Sequence, residues 1–233
     1  MDGQEIKRVL LDTYRKLYDR YGPQHWWPAD DPFEMIIGAI LTQSTAWSNV
    51  EKAITNLKNA GALSAQRLRE LPESEITTLI YPSGYYNVKA GRLRAFARWL
   101  GGNYNDNLEQ LFRQNTADIR DELLGVYGIG EETADSILLY AAGKPVFVID
   151  AYTRRLLDRR GLSPLNNSYS AYQDLFTENL AADTPLFNEY HALIVRHGKE
   201  VCRKNPSCDN CCLNETSEIA THRSASYPCS IKS

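Results

Sequence analysis

An acid and the turn upstream of it carry the clearest capacity for chemistry in this chain. In Glu122-Leu-Leu-Gly-Val-Tyr-Gly-Ile-Gly-Glu-Glu-Thr-Ala-Asp-Ser-Ile-Leu-Leu-Tyr140, a helix is expected to end near Val126. A tight turn follows at Gly128-Ile129-Gly130, and a second helix opens on Glu131. Glycines let the amides of such a turn converge on an anion, so the stretch suits a phosphate. The pattern is a helix-hairpin-helix, which grips a DNA backbone without reading its sequence. Downstream stands Asp150, ahead of Ala151-Tyr152-Thr153-Arg154. A carboxylate there can cap a helix. Beside a developing positive charge it can also stabilise that charge or deprotonate water.

Taken together, GIGEETADSILLYA and the following VFVIDAY resemble the core motif of the endonuclease III superfamily of DNA base-excision glycosylases. The resemblance implies that Gly128, Ile129 and Gly130 hold double-stranded DNA containing a damaged base, with a monovalent cation as a further occupant of the hairpin. It implies that Asp150 acts at the glycosidic bond. Members that also cut the strand carry a lysine where this chain has Glu132, and a carboxylate cannot form the imine that cutting needs. Removal of a base without strand cutting is therefore implied, with Lys144 as the nearest downstream amine.

The run Phe33 to Trp47 matches the family helix whose Thr-Gln element approaches a flipped nucleotide, which makes Gln43 the plug of the vacated stack. Trp26, Trp27 and Pro28 with Trp47 look most like the 3-methyladenine glycosylase branch, where such residues sandwich an alkylated purine, and Glu132 is expected in the same base pocket. An indole face attracts the cationic base by ~0.5–2 kcal/mol beyond ordinary stacking. In Gly84-Tyr85-Tyr86-Asn87-Val88-Lys89, Tyr85 takes the position of the family's wedge and Tyr86 that of the tyrosine behind it; Lys89 is expected on the DNA face. Bland readings stand beside these: tryptophans packing an interface, loop tyrosines capping a lobe, Asp150 only a cap. The rivals for the whole chain are a glycosylase for oxidised pyrimidines or mismatched bases, and a DNA-binding module without catalysis.

All five cysteines lie near the C-terminus. The tract from His197 to Cys211 resembles the family's [4Fe–4S] loop, which needs four thiolates. Cys202, Cys208 and Cys211 are in register, while the expected fourth position holds Ser217. Cys229 is the implied substitute, Cys212 a poorer one, and a metal-free tail with free thiols is the alternative.

The elements that must position these groups read as helices. Apolar residues recur at spacings of three and four in Val9–Tyr18, Phe33–Leu41 and Leu93–Leu100. Stop signals stand at Tyr21-Gly-Pro, Asn59-Ala-Gly, Tyr81-Pro-Ser-Gly and Leu100-Gly-Gly-Asn-Tyr-Asn-Asp-Asn. Pro145-Val-Phe-Val-Ile149 reads as a buried extended link. The expected class is all-α. The family implies two lobes with a DNA cleft between them: a helical barrel over residues 27–143, and a second lobe built from residues 1–26 plus 144–233.

Composition sets outer limits. The 233 residues suffice for one large or two small cores. No run reaches the roughly 20 apolar residues that span a bilayer, and the N-terminus lacks a signal-peptide core. A cytoplasmic, monomeric, DNA-associated protein is expected. The net charge of −3 argues against nucleic acid. Basic runs at Lys89/Arg92/Arg94/Arg98, Arg154/Arg155/Arg159/Arg160 and Arg196/Lys199/Arg203/Lys204 answer this as local faces.

Overall fold

Helix starts are written into the chain as side-chain caps. In the computed structural model, which describes residues 2–214, Asp2, Asp31, Ser64, Asn107, Asn115, Asp150, Ser168 and Asp183 each accept a hydrogen bond from an amide in the first turn of a helix. Each satisfies a donor that the helix itself leaves open. The described residues are all-α, without strands. They divide into two units, Trp27–Lys144 and Met1–Trp26 with Pro145–Ser233.

In the Trp27–Lys144 unit the order is α2 (Pro32–Leu41), α3 (Trp47–Asn59), α4 (Ala65–Glu70), α5 (Glu73–Leu79), a 3-10 turn (Tyr81–Ser83), α6 (Tyr86–Tyr104), α7 (Leu108–Phe112), α8 (Thr116–Leu124) and α9 (Glu131–Ser136). α9 continues into a π-helical turn, Ile137–Ala141. α2 is apolar nearly all round, with Met35, Ile36, Ile37, Ala39, Ile40 and Leu41 buried, so it serves as the central helix of the unit. It packs against α3, α6 and the π-turn.

α6 ends inside the expected stop run: it passes through Gly101-Gly102 to Tyr104, and Asn105 (φ 49°) closes it in the left-handed region. Gly101 is needed for close approach, since a Cβ there would lie 2.5 Å from Arg69 Nη1. That guanidinium is held by Asp106 in a bidentate pair, 2.6 Å at each nitrogen.

The other unit holds α1 (Gly3–Tyr21), α10 (Ala151–Arg159), α11 (Tyr169–Thr177) and α12 (Thr184–Glu200). Residues 145–149 form the buried, strandless link that carries the chain to Asp150. Phe147 anchors it, stacked on Phe176 at 3.5 Å and edge-on to Phe187 and Tyr190. Truncating a buried ring of this kind costs about 3–5 kcal/mol. Tyr190 donates to the Leu10 carbonyl (2.8 Å) and so joins α12 to α1.

Candidate functional site

The hairpin is braced from behind. Arg120 on α8 reaches the fully buried Asp135 on α9 through Nε (2.7 Å) and Nη2 (3.2 Å), with Glu131 3.7 Å from the same guanidinium. Neither Arg120 nor Asp135 stood out in the sequence, because each is an ordinary helix residue until the turn folds. Within the turn, Gly128 has φ +84°, and a Cβ on it would collide with the Arg92 side chain. The Ile129 side chain is buried, and its amide donates to the Val126 carbonyl (3.1 Å). Tyr127, beside Gly128, is exposed, with its ring over Gly91. Glu132 lies exposed on the first turn of α9. The Lys144 amine donates to the Gln114 carbonyl at 2.9 Å.

Gln43 sits at this turn and is fully engaged. Its Nε2 donates to Gly128 O (3.1 Å) and Thr133 Oγ1 (2.8 Å), and its Oε1 accepts from Arg92 Nη1. To fill a vacated stack, Gln43 has to give up these bonds. Tyr85 is 73% exposed and left-handed (φ 46°) at the start of α6, as an inserting residue must be accessible. Tyr86 is half-buried against Tyr81, ring centroids 4.8 Å apart. Lys89, expected on the DNA face, is instead buried at 1% exposure and bonded to two backbone carbonyls.

The aromatic wall gathers around Gly38. Trp27 meets Trp47 edge-on (5.1 Å, 88°) and Tyr140 at 5.3 Å. A Cβ at Gly38 would lie 3.3 Å from Trp27 Nε1 and 3.6 Å from Trp47. A base between two rings needs two van der Waals gaps of about 3.5 Å each. Trp27 and Trp47 therefore form an angled wall and not the two faces of a slot. Tyr140, unmarked in the sequence, owes its place to the π-turn, where the Ala142 amide reaches back to Ile137 O (3.0 Å). Pro28 is exposed beside Trp27. Trp26 belongs to the other unit, where Lys199 Nζ lies 5.9 Å from its ring centroid.

Asp150 caps α10, with Oδ1 accepting from the Thr153 amide at 2.7 Å. It is 9% exposed, and His191 Nε2 on α12 stands 3.7 Å from Oδ2. Burial alone would push this carboxyl up. The His191 imidazole and the Thr153 amide outweigh it and hold the acid below the ordinary carboxylate range. His191 escaped the sequence reading because nothing local ties α12 to Asp150.

In two of the three basic runs most side chains are engaged within the protein, although Arg98 is exposed. Arg94 pairs with Glu73 at 3.4 Å, while Lys89 and Arg92 are committed as described. Arg155 donates to the carbonyls of Cys202 and Gly198, Arg159 to those of Arg203 and Lys204, and Arg160 to that of Leu213. These arginines hold the cysteine-bearing loop by its backbone. In that loop Cys202 Sγ accepts from Arg159 (3.1 Å), and Cys211 Sγ lies 3.4 Å from Nε2 of the buried His197. Burial pushes the Cys211 and Cys212 thiols up. Among the described residues no group of three or more His, Cys, Asp or Glu side chains is arranged to hold a metal ion, so no chemical step is derived through one. Cys229 and Ser217 lie outside the described residues.

Comparison with known proteins places this geometry. Residues 37–182 match the family described as HhH-GPD superfamily base excision DNA repair protein. A Methanocaldococcus jannaschii protein with the provisional name of a DNA repair glycosylase is 45% identical over 89% of this chain and 94% of its own length. Endonuclease III of Thermotoga maritima is 28% identical over 92% of this chain and 95% of its own. Among solved structures, an H. pylori 3-methyladenine DNA glycosylase bound to 1,N6-ethenoadenine superimposes with a TM-score of 0.68, at 28% identity over 85% of this chain and 98% of that one. With its braced hairpin and downstream capped aspartate, this chain belongs to the HhH-GPD superfamily of base excision DNA repair proteins, as a relative of the endonuclease III-type glycosylases.

Proposed function

We propose that the protein is a monofunctional DNA glycosylase that hydrolyses an alkylated purine of the 3-methyladenine type from double-stranded DNA. The observation that carries this reading is Asp150, a nearly buried carboxylate kept ionised by its neighbours. As the C1′–N bond breaks, its electron pair leaves with the base and positive charge develops on the deoxyribose. The carboxylate stabilises that charge and takes a proton from the water that adds to C1′. A cationic alkylpurine departs as a neutral base, so the site needs no strong acid to protonate it.

Two features support hydrolysis over strand cutting: Glu132 offers no amine, and the Lys144 amine is occupied by a backbone carbonyl. The Trp27–Trp47–Tyr140 wall supports an electron-poor base, since ring faces favour cations. The solved relative bound to ethenoadenine fits a purine substrate. Gly128 and Gly130 hold backbone phosphate in this reading, with Tyr85 opening the stack. The family's [4Fe–4S] cluster would need Cys202, Cys208, Cys211 and Cys229 as thiolates, whereas Cys208 is disulfide-bonded here; iron and sulfide analysis of the purified protein tests it separately.

The decisive experiment incubates the protein with methylated duplex and with oxidised duplex, then analyses freed bases and strand breaks before and after alkali. Methylpurine release with breaks only after alkali is expected. Direct strand cutting overturns the monofunctional reading, release from oxidised DNA alone overturns the substrate, and binding with no release from either overturns catalysis.

A further inference from the structure

We propose that Lys89 is a positioning residue that locks the plug turn and the wedge loop into one register before DNA arrives. The inference rests on the reading of Gln43 and Tyr85 as the residues that enter the duplex. Lys89 is among the most deeply buried side chains of the protein, and its Nζ donates to Leu41 O (2.8 Å) and Ser83 O (2.5 Å). Both acceptors are main-chain carbonyls. A buried ammonium is tolerated only where it is well hydrogen-bonded, and one held by two neutral oxygens is a costly way to fill a core.

The two carbonyls mark where functional loops depart. Leu41 ends α2, and Ser83 ends the 3-10 turn. The terminal carbonyls of a helix lack intrahelical donors and sit at its negative end, so one cation serves both. Beyond Leu41 the chain reaches Gln43 and then Ser44 at φ 56°. Beyond Ser83 it passes Gly84 at φ 66° to Tyr85 at φ 46°. Left-handed non-glycine residues persist where the surroundings over-determine them, and here Ser44 and Tyr85 lie three and two residues beyond the Leu41 and Ser83 carbonyls that Lys89 holds.

One turn further along α6, Arg92 takes Gln43 Oε1 and lies against Gly128. α6 thus indexes wedge, plug and hairpin from a single helix, Lys89 by the backbone and Arg92 by the side chain. Loops already ordered spend no binding energy on ordering when the duplex opens.

The test uses the full chain, its Lys89→Met and Tyr85→Ala variants, and a duplex carrying 2-aminopurine beside an abasic-site analogue. Wild type should brighten the probe on unstacking, and Tyr85→Ala should lose the signal. Lys89→Met should melt cooperatively and hold undamaged duplex within about threefold of wild type. It should lose the probe signal and release base roughly 10–100-fold more slowly. Full signal and rate in Lys89→Met overturn the clamp while leaving the wedge intact. An unchanged Tyr85→Ala overturns the wedge, and hydrogen exchange then judges the clamp by itself. In wild type the bonded amides of Thr42 and Thr45 and those of Ser83 and Gly84 should share one opening; separate openings overturn the proposal even where Lys89→Met fails to fold.

Discussion

His191 Nε2 stands 3.7 Å from Asp150 Oδ2, so α12 supplies a basic side chain to the carboxylate that caps α10. With the Thr153 amide, this pair keeps the proposed catalytic carboxylate ionised. A depressed carboxyl contributes stability above its unfolded value of 3.8, and that contribution is lost as pH falls through the lower folded value. In His191→Leu the burial contribution is less opposed and the carboxyl rises. The acid limb of the pH–rate profile for base release should move to higher pH, with the rate on the neutral plateau changed less. An unmoved limb would show that His191 does not act on Asp150.

Asp150→Asn separates chemistry from structure. Asparagine caps helices about as well as aspartate, so the melting temperature should stay close to that of wild type. Single-turnover base release should fall by about 10²–10⁴-fold, the usual contribution of such a group. Duplex affinity, measured by anisotropy, should persist.

Gly128→Ala should weaken DNA binding and lower the melting temperature together. The residue occupies φ +84°, and the new methyl group must displace the Arg92 side chain, which also holds Gln43. If the turn contacts one phosphate, the salt dependence of log affinity should become shallower by about one. An unchanged slope would remove the turn from the phosphate contacts.

Trp47→Leu and Tyr140→Leu should reduce the preference for a cationic methylpurine over a neutral purine lesion. Losing one ring face is worth ~0.5–2 kcal/mol, or about 2–30-fold in the ratio of kcat/KM values. Equal losses on both substrates would mean that the rings supply packing alone.

Arg120→Ala should destabilise the hairpin unit by about 2–4 kcal/mol, discounted because the arginine is about a quarter exposed. Chemical denaturation checks this. Because Asp135 is fully buried, the double variant Arg120→Ala/Asp135→Ala should recover part of the loss.

Whatever depends on neighbours in the chain could be read from the amino acids alone. The Gly128–Gly130 turn needs glycine for its backbone, Asp150 announces a helix start, and the three-and-four spacing of Phe33–Leu41 marks a helix. The all-α class followed, as did the superfamily, because its motif is a short run of local signals.

What escaped was set by contacts between residues distant in sequence. Lys89 sits among basic residues at helical spacing and reads as a charged surface, yet packing of α6 against the end of α2 buries it. Arg155 and Arg159 read the same way until the cysteine loop presents carbonyls to them. Residue types along the chain determined the helices, the glycine turn and the acid that follows it. Tertiary structure decided which charges face solvent, which rings share a wall and what holds Asp150 ionised, because burial and partner distance arise only when separate helices meet.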